Sequence, residues 1–129
     1  MTQNATDVLK LADGLFAAVE AGDAEAARAY YAPDATIWHN VDYKDQSVDE
    51  CVRNFALLKR LLPDQKLKIL RRQVTDDGFI QQDLLEATLP DGTPYRLSAC
   101  LVVSVRDGLI TRVEEYLDSA ELQPLAAYV

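Results

Sequence analysis

One imidazole occurs in the 129 residues. It is His39, in the stretch DATIWHN (residues 34–40), between the only tryptophan, Trp38, and a carboxamide, Asn40. An imidazole gives and takes protons near neutral pH, and a carboxylate close to it orients the ring and stabilises its charged form. The stretch RVEEYLD near the C-terminus carries two candidate carboxylates, Glu114 and Glu115. Glu115 shares the parity of Val113 and Leu117, which would face an apolar interior, whereas Glu114 would then face outward. The opposite phase would exchange the two acids. His39 and Glu115 are therefore the expected acid/base pair, with Asn40 or Gln82 holding a carbonyl oxygen or a water. Trp38, Tyr30, Tyr31 and Phe55 are expected as aromatic walls. Each has a plainer reading as well. A histidine at a strand end can simply satisfy backbone groups, and Trp38 alternates with His39, so only one of them enters an interior deeply unless a bulge intervenes. Of the polar trio Gln81, Gln82 and Asp83, Gln82 is the one expected inside.

The elements that position these groups follow from pattern. Val8, Leu11, Leu15, Phe16 and Val19 recur at helical spacing, predicting a helix over about 5–21, capped by Asn4 and closed by Gly22. Asp23 starts a second short helix, AEAARAYYA, expected to stop at Pro33. DATIWHN reads as a strand and the polar NVDYKDQ as a loop. Ser47 and Glu50 then form a capping box for a third helix, striped by Val48, Val52, Phe55, Leu58 and Leu62 and ended by Pro63. Three Asp-Gly pairs (77–78, 91–92 and 107–108) separate Val/Ile/Leu-rich runs, predicting an antiparallel meander of strands at about 66–76, 79–89, 93–106 and 110–118. The order is helix, helix, strand, helix, four strands, without a linker or repeat. That describes one α+β domain over 1–129, a sheet with its helices gathered on one face. In the run 93–106, Leu97, Ala99, Leu101, Val103 and Val105 form an apolar set that should meet the helices. The alternate set, Arg96, Ser98, Cys100, Val102 and Ser104, is mixed, which suits a subunit interface.

Composition narrows the function. Hydrophobic residues make up 49% and charged residues 26%, ordinary for a globular protein. The net charge of −8 repels phosphate backbones and anionic lipid, which argues against nucleic-acid and membrane partners. No apolar run is long enough to span a bilayer, and MTQNATDVLK lacks the basic start and apolar core of a signal peptide, so a cytoplasmic location is expected. Cys51 and Cys100 form no CxxC pattern. With a single histidine, that argues against a metal site. No phosphate-binding glycine loop or GxSxG occurs.

The stretches AVEAGDAEAARAYYAPDATIWHN and VRDGLITRVEEYLDSAEL resemble the nuclear transport factor 2-like superfamily, in its SnoaL-like branch, and the resemblance covers nearly the whole chain. It implies a cone-shaped, curved antiparallel sheet wrapped around the long N-terminal helix, an enclosed apolar cavity, and frequent homodimerisation through the outer sheet face. Function does not follow from the fold, which hosts isomerases, cyclases, dehydratases, lyases, epoxide hydrolases and binders. In ketosteroid isomerases of this superfamily the general-base position falls on His39 here. The two oxyanion-hole donors fall on Leu15 and near Leu101, which cannot donate. Limonene-epoxide hydrolases carry Arg-x-Asp on a middle strand. Here that strand reads IQQDLLEA, without arginine, while their last-strand acid has a counterpart in Glu115. Two functions are thus expected as alternatives. One is a cofactor-independent isomerase, cyclase, dehydratase or lyase moving protons on a small hydrophobic molecule. The other is a non-catalytic module that binds an apolar ligand. A dimerising partner domain is a third.

Overall fold

The computed structural model describes residues 4–129; the first three residues of the stretch read for a leader lie outside the described residues. Helix α1 runs Ala5–Ala21, its first turn capped by the Asn4 side chain and its end closed by Gly22 at φ 71°. Asp23 caps α2, Ala24–Arg28. Strands β1 (Tyr31–His39) and β2 (Lys44–Gln46) follow, then α3 (Val48–Leu61), opened by the Ser47/Glu50 capping box. The meander is β3 (Lys66–Thr75), β4 (Gly78–Thr88), β5 (Pro94–Arg106) and β6 (Leu109–Leu117). A short helix α4, Ser119–Leu122, and a 3₁₀ turn over Gln123–Tyr128 end the chain. The six strands form one sheet in the order β2-β1-β6-β5-β4-β3, antiparallel except where β1 lies parallel to β6. The architecture is the expected α+β one.

Three details differ from the sequence reading, each for a local reason. The second helix stops at Arg28, not at Pro33, because Tyr30 is already committed to the sheet: its carbonyl accepts from Ile110 N at 2.9 Å. Pro33 sits inside β1, in the irregular stretch between Tyr31 and Thr36, where a missing N–H is tolerated. The polar loop contains β2, which returns on β1 through a turn with Tyr43 at φ 57°. Finally, Gly92 and Gly108 adopt the positive φ expected of Asp-Gly turns, but Gly78 does not. It opens β4, where a Cβ would stand 1.8 Å from the Val103 carbonyl oxygen. Close backbone approach, not turn geometry, requires glycine there.

The inner face of the sheet carries the core. Leu101, Val103, Val105, Ile110 and Val113 are buried against Val8, Leu11, Ala12 and Leu15 of α1 and Val48, Cys51 and Val52 of α3. A second cluster, Leu62, Leu85, Leu89, Tyr95, Leu97 and Leu125, joins the C-terminal turn to the far end of the sheet. Tyr95 Oη donates to the Glu121 carbonyl at 2.8 Å and fastens α4 to β5. Among the described residues no helix is long and apolar enough to cross a membrane.

Candidate functional site

Between α1, α3 and the concave sheet face lies a cavity of about 290 Å³. Most of its wall is apolar, including Leu15, Phe16, Ile37, Phe55, Leu101 and Val113. The polar groups that reach it include His39, Asp83 and Glu115.

Register explains how these arrive on one face. In β1, Ile37 is buried in the core, and strand alternation brings His39 to the same side while Trp38 goes to the other. His39 stands beside Glu115 in the parallel β1–β6 pair, Glu115 opposite Leu101, and Leu101 opposite Gln81. The four lie in one row across the sheet. Glu115 depends on an irregularity. The two-residue turn at Asp107-Gly108 would put even-numbered β6 residues opposite the inward odd residues of β5, as it does for Ile110 opposite Val105. An extra residue, Thr111, bulges out between the pairs Val105–Ile110 and Ser104–Arg112, and the phase then changes. Beyond it Val113 and Glu115 point inward. Glu114 faces out and pairs with Arg112 at 3.4 Å.

His39 Nε2 and Glu115 Oε1 are 2.9 Å apart, with 17% and 23% of the respective side chains exposed. Burial presses the imidazole toward its neutral form, but contact with Glu115 and its charge, helped by Asp42, outweighs burial and holds the pKa above the ordinary value. In the neutral ring, an Nε2 proton directed at Glu115 leaves Nδ1 as the nitrogen that accepts a proton. Asp83 is buried on β4, and its carboxyl pKa is pushed up to about 6 by burial. A hydrogen bond from Gln81 opposes that shift, the negative charge of Glu115 adds to it, and Arg72 pulls it down. Gln81 Nε2 donates to Asp83 Oδ2 at 2.7 Å. Cys51 lines the same cavity, but burial pushes its thiol up to about 12, although Tyr31 pulls the other way, so it is not a ready nucleophile.

The structure brings together four of the residues singled out in the sequence: His39, Glu115, Tyr31 and Phe55 all line the cavity. The other four are elsewhere. Trp38 lies on the outer face, edge-to-face with Tyr43 and Tyr116. Asn40 ties two strands together: Leu117 N donates to its Oδ1 at 2.8 Å and its Nδ2 donates to the Leu117 carbonyl at 3.1 Å. The amide after the imidazole thus holds the strand that carries Glu115. Tyr30 packs over α1, where a Cβ at Gly14 would meet its hydroxyl at 2.1 Å. Gln82 is exposed on the outer face beside Cys100, while Gln81 and Asp83 point in, the reverse of the expectation. The signal was present in LPDGT. Proline, aspartate and glycine in that order favour a type I turn with Gly92 left-handed, a three-residue loop that sets Leu89 against Thr93. That loop length sends the odd residues of β4 inward.

The comparisons with known proteins agree with this architecture. Residues 12–113 match the SnoaL-like domain. The chain belongs to the SnoaL-like domain family. Similar folds include AclR, a candidate hydroxylase from Streptomyces galilaeus (TM-score 0.84, 14% identity, 98% of this chain and 88% of that one). IdmH, a candidate polyketide cyclase from Streptomyces antibioticus, gives 0.80 at 19% identity over 93% and 98%. An LEH-like epoxide hydrolase of M. tuberculosis gives 0.73 at 16% over 92% and 84%. No curated protein matches the sequence. This SnoaL-like domain thus shares its fold with proteins named for several small-molecule activities.

Proposed function

We propose that this SnoaL-like protein is a cofactor-independent enzyme that moves protons on a small hydrophobic molecule, in an isomerisation, cyclisation, dehydration or lyase reaction. The observation that carries the reading is the 2.9 Å His39–Glu115 pair inside an apolar cavity. The roles follow from the surroundings of each group. Burial raises the Asp83 carboxyl to about 6, which makes it a base that readily takes a proton, while contact with Glu115 holds the His39 pKa above its ordinary value and favours the imidazolium. His39 then delivers a proton to a developing oxyanion or leaving group, and Asp83 withdraws one from carbon. Glu115 orients the ring and stabilises its charge. The two proton-transfer groups come from β1 and β4, with β6 and β5 between them, so a substrate lying over Leu101 and Ala99 is reached from both sides. The acidic character of the polar groups disfavours phosphorylated or multiply anionic substrates. A neutral or weakly acidic aromatic or terpenoid-like molecule suits the wall.

The mixed outer sheet face supports a homodimer. Leu70 (57% exposed), Tyr116 (48%) and Val102 (37%) stand out there beside Trp38 and Cys100, a surface that favours burial against a second copy. A cytoplasmic location is part of the same proposal.

The test is deuterium uptake from D₂O at carbon next to the carbonyl of hydrophobic cyclic ketones, comparing the wild type with His39→Ala. The variant is expected to lose at least about 100-fold in exchange rate while melting as the wild type does. Equal exchange in both proteins would remove His39 from the chemistry. Tight binding of such compounds with no exchange in either would make the protein a carrier or sensor of an apolar ligand.

A further inference from the structure

A chain of polar side chains leads from the surface to the back of Asp83. Asp13, exposed on α1, pairs with Arg72 Nη1 at 2.6 Å. The Arg72 guanidinium lies 5.8 Å from the Phe16 ring centre and 5.9 Å from that of Phe79, two rings that meet edge-to-face. Its Nε donates to Gln81 Oε1 at 2.8 Å, and Gln81 Nε2 donates to Asp83 Oδ2 at 2.7 Å. Gln81 is wholly buried.

The sense of this chain is fixed by chemistry. A guanidinium has donors and no acceptor, so the amide must turn its oxygen to Arg72 and its nitrogen to Asp83. A proton on Asp83 Oδ2 would face an N–H, so that oxygen can only accept. Among the described residues Oδ1 has no protein partner, and no buried polar side-chain atom there lacks one. Oδ1 is therefore the oxygen open to the cavity. We propose that Gln81 is a positioning residue for Asp83, held in one sense by Arg72, so that proton exchange with a bound molecule runs only through Asp83 Oδ1.

The proposal rests on the acid/base reading of the cavity and adds what keeps Asp83 serviceable within it. The groups acting on Asp83 are Glu115 from β6, which opposes its ionisation, and Arg72 from β3, which favours it. Arg72 is itself shared with Asp13 of α1, and the His39 imidazole lies behind Glu115 on β1. The donor from Gln81 is the nearest group favouring the anion. Without it Asp83 would keep its proton to higher pH, which takes away the anion that the proposed chemistry needs beside a charged His39.

The test needs no substrate. In ¹³C/¹⁵N-labelled wild-type protein, the Gln81 side-chain amide ¹⁵N shift is expected to follow the Asp83 carboxyl ¹³C titration with the same midpoint, while outward-facing Gln82 stays flat. In Gln81→Met the Asp83 midpoint is expected to rise by about one pH unit with the His39 midpoint unmoved, and Arg72→Met to move it in the same direction. A purely structural role would lower the melting temperature and leave the Asp83 midpoint in place. A flat Gln81 amide in the wild type overturns the proposal, and that measurement stands even if neither variant folds. An unchanged Asp83 midpoint in either folded variant overturns it too. Failure of the ketone exchange assay would remove the proposed activity and leave these titrations as they are.

Discussion

Replacing Asp83 by asparagine is predicted to make the protein more stable above neutral pH while destroying its function. Burial, reinforced by Glu115, moves the Asp83 carboxyl from 3.8 to about 6 in the folded state. A carboxyl whose folded pKa is raised binds its proton more tightly folded than unfolded. Its penalty is therefore absent below pH 3.8, grows as pH rises toward 6, and is constant above. That shift corresponds to about 3 kcal/mol at pH 8. Asparagine removes the charge but keeps an acceptor oxygen for Gln81 Nε2, so no buried donor is orphaned. Urea denaturation of both proteins at pH 4 and pH 8 reads the effect. The variant should match the wild type at pH 4 and exceed it by about 2–3 kcal/mol at pH 8. A variant no more stable than the wild type at pH 8 would refute the claim that Asp83 is held ionised against its surroundings, and with it the assignment of Asp83 as the base.

Further outcomes follow from the same geometry. Because His39 is the only histidine, one imidazole Cε1–H resonance reports the pair. In Glu115→Gln only Asp42 is left to oppose burial, and the midpoint is expected to fall by about one to two pH units, from Coulomb's law at 2.9 Å with a water-like to intermediate dielectric. The stabilisation that the pair gives His39 in its charged form is complete below pH 6.5 and vanishes as pH rises through the raised folded pKa, so wild type and variant converge in stability there. An unmoved midpoint would mean that the two groups do not interact. Gly78→Ala, with its Cβ directed at the Val103 carbonyl, is expected to cost roughly 2–4 kcal/mol by denaturant titration; a neutral effect would show that β4 and β5 separate freely. Val102→Glu is expected to turn a dimer into a monomer in sedimentation while leaving melting nearly unchanged. A wild-type protein that sediments as a monomer would end the dimer proposal.

Most of the scaffold was legible because local chemistry decided it. Asn4, Gly22, Asp23 and the Ser47/Glu50 box each satisfy backbone groups within a few residues of themselves, and the structure uses all of them as the sequence implies. The apolar set from Leu97 to Val105 fixed the inward face of β5, and Val113 and Leu117 that of the second half of β6. What escaped was decided at a distance. Alternation alone cannot tell Gln81 and Asp83 from Gln82, since all three are polar; a loop of three residues rather than two decides it. Nothing near Arg72 in the sequence marks it either, since the two phenylalanines that close on it come from different elements. The last four residues of the expected second helix lose to the hydrogen bond that Tyr30 offers the sheet.

The bulge at Thr111 has a consequence for how such chains are compared. It divides β6 into two stretches with opposite phase, Leu109–Ile110 before it and Arg112–Leu117 after it. A relative of the same length whose ladder ran through that position without the bulge would still align its acid with Glu115 letter for letter, yet would present the preceding side chain to the hollow. Possession of the acid and use of it are then separate traits, and the residue that links them touches nothing in the site.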